Sequence, residues 1–553
     1  MKKLVVGLFF CIAIGSIHSQ VVTTNPSMVV EGTAISLTFN AAYGSMGLKD
    51  YTGDIYAHTG VITDKSSSDS DWKYVVADWS VNLPKVKMVR SGSNTYQLMV
   101  SPDIRTFYGV PEGETIKKLA FVFRNSDGSK EGKDTGSKDI FINVYEEGVN
   151  VSFSQPVSNY SVLQPGSKLS VNVNAVNSQT IELYLDQNLL ASSLTSPLAY
   201  DLTVPAEGKH MLRAVATGTS GSAADTVWFV AHTDPVEEIM PVGLKRGATR
   251  IDDQSVYLKL FAPQKQFIYV AGDFNDWMPD AVHQMKKDGD YFWLRIDGLQ
   301  PDTEYGYQYW IDNSVKIPDP YTNKVLDPYN DQYISSEIYP NLKEYPADKT
   351  EELVSVFQTN PKVYSWQITN FAPPSPDTLV VYELLIRDFT VNRDIKTVAD
   401  TLSYLKRLGV NAVELMPFNE FEGNDSWGYN PSLYFAPDKA YGTADDYKRF
   451  IDACHQNGIA VIQDMVLNHS FGQSPLVRMY FENGKPAANN PWYNVNHNMQ
   501  NPDAQWGYDF NHQSIETQAL VDSVCAFWME EYKVERFPFR LYQRIYQYGL
   551  WPH

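Results

Sequence analysis

Asp464, Asn468 and His469 stand close together in the stretch AVIQDMVLNH. A carboxylate, an amide and an imidazole can between them hold and polarise hydroxyl groups. The run before them, Ile459-Ala460-Val461-Ile462, is apolar and of β type. The polar groups therefore fall at the carboxyl end of a buried strand, where parallel barrels build their sites.

Two further strand-like runs lie upstream. Residues 379–383 (LVVYE) end near Arg387 and Asp388, and residues 412–417 (AVELMP) end near Asn419 and Glu420. Each is followed by a helix-like segment, so the order from residue 379 is β-α-β-α-β. The other motifs of this part, WGYNP with Trp427 and Tyr429 and GYDFNH with Asp509, fall in the connections between these elements.

The chain has 553 residues, enough for several domains, and its 43% hydrophobic content is ordinary for proteins with real cores. A net charge of −20 argues against a nucleic-acid partner and against an anionic membrane surface. Lys2-Lys3, an apolar run over residues 4–17 and the small residue Ser19 read as a secretory signal peptide, residues 1–19. The apolar run falls short of the ~20 residues a spanning helix needs, so no membrane span is expected after cleavage. Of the 3 cysteines, Cys454 and Cys525 remain after cleavage, and both are expected as free, buried thiols.

Residues 20–148 alternate short β-type runs with Gly, Ser, Asn and Asp turns, which reads as a β-sandwich. Trp72 and Trp79, in DWKYVVADW, stand there as a candidate sugar-stacking platform, with core packing as the alternative. Residues 149–235 read as an immunoglobulin-like β module without chemistry of its own. Residues 240–342 form a third β module, followed by a linker over residues 343–378. Each module is expected to have its own core.

The third module resembles the carbohydrate-binding module 48 (isoamylase N-terminal) domain. The likeness rests on GDFNDW at residues 272–277, Gly298-Leu299 and the strand-like residues 305–310. In that family the module precedes the barrel of α-glucan enzymes, and Trp277 is carried forward as a further candidate for a sugar platform. From residue 379 the chain resembles glycoside hydrolase family 13, the α-amylase family. YELLIRDFT matches its first strand, residues 427–443 the loop after the second, DMVLNH its first conserved region, and GYDFNH the motif that closes the loop domain after the third.

The resemblance implies a retaining hydrolase of α-1,4-linked, starch- or glycogen-like glucans. His469 would then donate to a glucose hydroxyl, Tyr429 and Trp427 would face the ring, and Asp464 would orient the site floor. It also implies calcium as a cofactor, with Asn468 and Asp509 as its candidate ligands. The expected fold is multidomain: three β-sandwich modules followed by an incomplete (β/α)8 TIM barrel of about the first three βα units. The expected location is the periplasm or the outer cell surface of a Gram-negative bacterium.

The pattern breaks after the third strand. Where the family continues close to Gly-Phe-Arg-Phe-Asp with its nucleophile, this chain reads Val534-Glu535-Arg536-Phe537-Pro538-Phe539-Arg540 and then LYQRIYQYGLWPH. None of the family's catalytic carboxylates is found in the sequence. Codons permitted for residues 535–540, read one nucleotide later, spell Asn-Gly-Phe-Arg-Phe-Asp, so a single-nucleotide frameshift is the expected cause. The chain as written is expected to lack hydrolase activity, to fold poorly from residue 379 on, and to leave its third barrel strand with an open edge. Two other readings remain open: a non-catalytic α-glucan-binding surface protein, and a branching or transglycosylating enzyme.

Overall fold

The computed structural model describes residues 21–135, 138–156, 160–312, 315–499 and 501–537. The signal-peptide reading and the expected frameshift in the tail beyond residue 537 lie outside the described residues. The chain divides into two compact units, Met1–Asn159 with Lys168–Thr203 and His210–Trp228, and Tyr160–Ser167 with Val204–Lys209 and Phe229–His553.

In the first unit, the sequence ISLTFN (Ile35–Asn40) alternates inward and outward side chains. Ile35, Leu37 and Phe39 enter the core as a strand of period two requires. This strand belongs to a four-stranded antiparallel sheet with Val22–Asn25, Thr95–Val100 and Val89–Gly92. The second sheet runs Val29–Val30, Ile140–Tyr145, Ile116–Asn125 and Ile55–Thr63, with Glu131–Gly132 beside it. Phe39 of one sheet stacks on Phe123 of the other with centroids 4.0 Å apart, closing the expected sandwich. The next module has a three-stranded and a five-stranded sheet, and Val171, Val173 and Ala175 alternate inward along Lys168–Val176.

In the second unit, the module that begins near residue 240 has two sheets. One runs Gly247–Arg250, Val256–Phe261, Tyr291–Ile296 and Lys286–Asp288. The other runs Ile268–Gly272, Glu304–Ile311, Val354–Gln358 and Val325–Leu326, with Val315–Ile317 alongside. Here the expected boundary is corrected. Val354–Gln358, placed in the linker from its position after a Pro- and Asp-rich stretch, pairs antiparallel with Glu304–Ile311 and is almost wholly buried. The module therefore continues past residue 342.

Three parallel strands follow: Val381–Leu384, Ala412–Leu415 and Ala460–Gln463, with Leu384 level with Leu415 and Leu415 level with Gln463. Helices Leu402–Arg407 and Ala444–Gln456 connect them, the second started by Thr443 and Asp446 in a reciprocal capping box. Helix Ile515–Glu531 follows, capped by Ser514. The edge of the third strand is not left open. Gln463 N–H donates to Arg536 O at 3.1 Å, Glu535 N–H donates to Val461 O at 3.0 Å, and Ile462 pairs in parallel with Arg536. Residues 535–536 thus lie alongside the third strand and take up its backbone groups.

The expectation of separate cores is also corrected for this module. Val256, Phe292 and Tyr307 belong to one continuous apolar cluster with Leu415, Val461 and Trp528. Arg246 reaches Glu516 at 2.6 Å, and the Tyr480 hydroxyl donates to Pro263 O at 2.6 Å. The module buries a face against the barrel segment that neither could bury alone. Both cysteines are free, Cys454 buried and Cys525 half-buried. Among the described residues no helix is long and apolar enough to cross a membrane.

Candidate active site

The three parallel strands end on one side with polar groups. Asp464 follows the third strand, is buried, and is held there by its N–H donating to Leu415 O at 2.9 Å. Tyr429 arrives on the loop after the second strand, and its hydroxyl donates to Asp464 Oδ2 at 2.6 Å. His469 Nε2 lies 2.9 Å from Tyr429 O. A carbonyl can only accept, so Nε2 carries a proton and donates to it. Asp464, Tyr429 and His469 are thus brought together.

Two glycines fix the loops. Gly428 has φ +86°, and a Cβ there would stand 2.4 Å from Pro417 O, so only glycine lets the backbone turn Tyr429 toward Asp464. Gly507 has φ +60°, and a Cβ there would meet Ser470 O at 2.4 Å. It places Trp506 beside His469, centroids 6.5 Å apart with the rings nearly perpendicular. Trp427 and Trp506 are 61% and 59% exposed, which gives the site two open indoles. Trp506 was missed by sequence reasoning, although it directly precedes the GYDFNH motif.

Glu383 and Glu414 were also missed as site residues. They sit level on adjacent parallel strands, so their side chains leave the sheet on the same face. With Asp464 they bring one carboxylate oxygen each within 4.8 Å of one another. Both glutamates were visible at the ends of strand-like runs, but their convergence depends on register, which one sequence does not display.

Asn468 and Asp509 lie on adjacent paired segments: His469 pairs with Asp509, and Phe510 N–H donates to Asn468 O at 2.9 Å. The surroundings of Asp509 suit hydrogen bonding better than calcium. Its Oδ2 accepts from Asn494 Nδ2 at 2.7 Å and from Asn498 N at 3.3 Å, and His497 Nδ1 lies 3.7 Å from Oδ1. Calcium takes six to eight oxygen ligands. Asp509 Oδ2 is engaged by these N–H donors, and no chemistry is assigned to the ion.

Trp277 is corrected as a sugar platform. It is 2% exposed, packs among Tyr269, Trp310 and Val354, and donates through Nε1 to Asp273 at 2.9 Å, so no open ring face remains. Trp72 and Trp79 lie in the other compact unit and stay half-buried at its surface.

A buried charge cluster supports the loop that carries Tyr429. Lys439 Nζ lies 2.6 Å from Glu420 and 3.3 Å from Asp331, with Asp438 adjacent in sequence. Burial pushes the pKa of Glu420 up to about 8 and raises that of Asp438, while the surrounding carboxylates hold Lys439 charged. Asp331 belongs to DPYND, so this cluster and the bond from Asn424 Nδ2 to Asn330 O (2.9 Å) tie that stretch to the site loop. Trp528 Nε1 secures the same loop from below by donating to Tyr434 O at 2.8 Å.

Comparison with known proteins fits this geometry. Residues 369–541 match the alpha amylase catalytic domain, and residues 243–330 match carbohydrate-binding module 48 (isoamylase N-terminal domain). Residues 22–131 match a domain of unknown function (DUF8578). The chain is 27% identical over 318 residues to the 1,4-alpha-glucan branching enzyme GlgB of Pseudoalteromonas atlantica, covering 54% of this chain and 38% of the relative. It is 29% identical over 265 residues to the malto-oligosyltrehalose trehalohydrolase of Mycobacterium tuberculosis, covering 45% and 42%. The chain thus spans about two fifths of the length of these relatives. Among solved structures, the catalytic module of the pneumococcal glycogen-degrading virulence factor SpuA aligns with a TM-score of 0.41 and 22% identity, over 53% of this chain and 46% of that one. The chain therefore carries a carbohydrate-binding module 48 domain and an α-amylase catalytic-domain segment.

Proposed function

We propose that the strand-end site binds an α-1,4-glucan and forms the sugar-orienting part of a secreted, retaining α-amylase-type hydrolase. The observation that carries this reading is the joint anchoring of Tyr429 by Asp464 and His469, beside the exposed rings of Trp427 and Trp506. Flat aromatic faces take the C–H faces of glucose, and the polar groups between them take its hydroxyls. His469 stands beside the floor of the site, and the Tyr429–Asp464 pair holds that floor rigid. Retention needs an attacking carboxylate and a carboxylic acid about 5–5.5 Å apart.

In the family resemblance those two groups follow the segment that Val534 begins, and the sequence as written does not spell them there. Glucan binding is the part of this reading that the strand-end residues carry, and hydrolysis needs both carboxylates. The signal-peptide pattern directs the protein to the periplasm or outer surface of a Gram-negative bacterium. The match to a branching enzyme favours a second reading, in which the carboxylate-complete form transfers glucan chains instead of hydrolysing them.

The test is retention of the purified chain on insoluble starch, with reducing ends counted in the same tube. Retention without new reducing ends supports the proposal. Passage through the starch unretarded removes it.

A further inference from the structure

The outer face of the second sheet in the first unit carries aromatic side chains that its core does not use. Along Ile55–Thr63 the inward residues Ile55, Ala57 and Val61 build the sandwich core, while Tyr56 and His58 leave the opposite face. On the neighbouring strands Arg124 stands level with Tyr56, Val122 level with His58, and Phe141 level with Ala120. The segment that follows Ile55–Thr63 runs back along its edge. Lys73 and Val61 exchange two backbone bonds, of 2.8 and 2.9 Å, and Val76 N–H donates to Thr59 O at 3.0 Å.

This return brings two tryptophans onto the outer face. Trp72 stacks on His58, centroids 5.6 Å apart at 26°, and meets Phe141 edge-on at 6.3 Å. Trp79 meets His58 edge-on at 5.2 Å, with the Arg124 guanidinium 5.8 Å over its ring. Trp72, Trp79 and Phe141 are half-buried, and none is among the residues of the sandwich core. They form a second aromatic group at the surface.

Polar groups rim it. Lys118 holds both oxygens of Asp69 at 2.8 Å, and Arg124 Nη1 donates to Asn82 at 2.8 Å. Arg124 itself is 2% exposed, and its Nε has no hydrogen-bond partner among the described residues. Burial lowers the pKa of His58, so at neutral pH its ring is uncharged, with its N–H given to the Ala77 backbone and the other nitrogen an acceptor. Half-buried indoles with one edge or face toward solvent, bordered by fixed hydrogen-bonding groups, suit a pyranose, whose apolar faces stack while its ring-plane hydroxyls bond sideways. A site lined by apolar and aromatic groups with few polar ones is the general form of a small-ligand site.

We propose that Trp72 and Trp79, with His58 between them, form a separate α-glucan-binding platform on the N-terminal module. The choice of α-glucan rests on the reading of the catalytic segment above. The platform itself rests only on the geometry of this face. It would keep the polymer close to the strand-end site by raising its local concentration, since a second linked site makes rebinding intramolecular.

Oxidative footprinting of the full chain tests both readings separately. Tryptophan modification is mapped by mass spectrometry with and without saturating maltoheptaose, and cellohexaose serves as the control. Slower oxidation of Trp72 and Trp79 with maltoheptaose alone supports the platform, whatever happens at Trp427 and Trp506. Protection of Trp427 and Trp506 with Trp72 and Trp79 unchanged overturns the platform and leaves the catalytic segment's reading standing. No protection anywhere overturns both. Absence of any oxidation at Trp72 and Trp79 in the free protein also overturns the platform, because the rings would then be closed to a ligand. A Trp72→Ala variant that melts like the parent should bind glycogen at least several-fold more weakly in affinity electrophoresis, and unchanged migration counts against the platform.

Discussion

The Tyr429 hydroxyl donates to Asp464 Oδ2 at 2.6 Å, and this one bond joins the loop after the second parallel strand to the end of the third. The same residue receives His469 Nε2 on its carbonyl. A loop residue is thus held at both its backbone and its side chain by two strand-end groups.

Tyr429→Phe should separate the anchor from the ring. The aromatic face stays, while the Asp464 carboxylate loses a charge-assisted donor in a buried setting, worth about 1.5–3 kcal/mol. Thermal unfolding should fall by an amount in that range, and maltoheptaose binding should weaken with it. An unchanged melting temperature together with unchanged affinity would show that the bond does not hold the site.

Lys439→Met should be among the most damaging single changes. Above about pH 8, where Glu420 is ionised, it removes the cation from a buried group of carboxylates, and breaking a buried pair by deleting one partner costs about 3–5 kcal/mol. Chemical denaturation should show that loss, whereas Lys362→Met at the exposed surface should show almost none.

The same cluster sets a pH dependence. Glu420 keeps its proton in the folded protein up to about pH 8, because burial raises its pKa, but gives it up near pH 4.5 when unfolded. Between those values the folded state binds more protons than the unfolded state, so stability falls as pH rises. Glu420→Gln should flatten that slope. Denaturation midpoints from pH 5 to 8.5 for both proteins decide the matter, and parallel slopes would be the contrary result.

Gly428→Ala should disturb the site without touching a polar group. The new Cβ meets Pro417 O on a backbone of positive φ, a strain of order 1–3 kcal/mol. Loss of glucan affinity should accompany the lower melting temperature, while Gly484→Ala, with open space around it, should keep the affinity.

Asp509 faces N–H donors, so removing calcium should leave the protein as it was. Melting curves with a chelator and with added calcium should superimpose. A drop of several degrees that calcium reverses would mean that oxygen ligands gather at this site in solution.

Much of this was readable because it is local. The apolar run Ile459-Ala460-Val461-Ile462 announced its strand, and Asp464 and His469 follow it in the chain itself, so strand end and chemistry come together. What depends on pairing was not readable. Val354–Gln358 has a strand's composition, but its partner Glu304–Ile311 lies far away in sequence, and the Pro- and Asp-rich text between them suggested a linker. Glu383 and Glu414 meet Asp464 only through strand register. Trp277 and Trp506 illustrate the limit for exposure. Both sit in short motifs rich in Gly and Asp, yet one is sealed in a core and the other stands open beside His469.

The central claim is that Asp464, Tyr429 and His469 make a glucan site. Calorimetric titration of the 553-residue chain with maltoheptaose, beside its His469→Ala variant, tests it most directly. The account predicts that the variant keeps its fold by circular dichroism and binds one maltoheptaose fewer than the parent. An isotherm with the same stoichiometry and affinity as the parent's would contradict it.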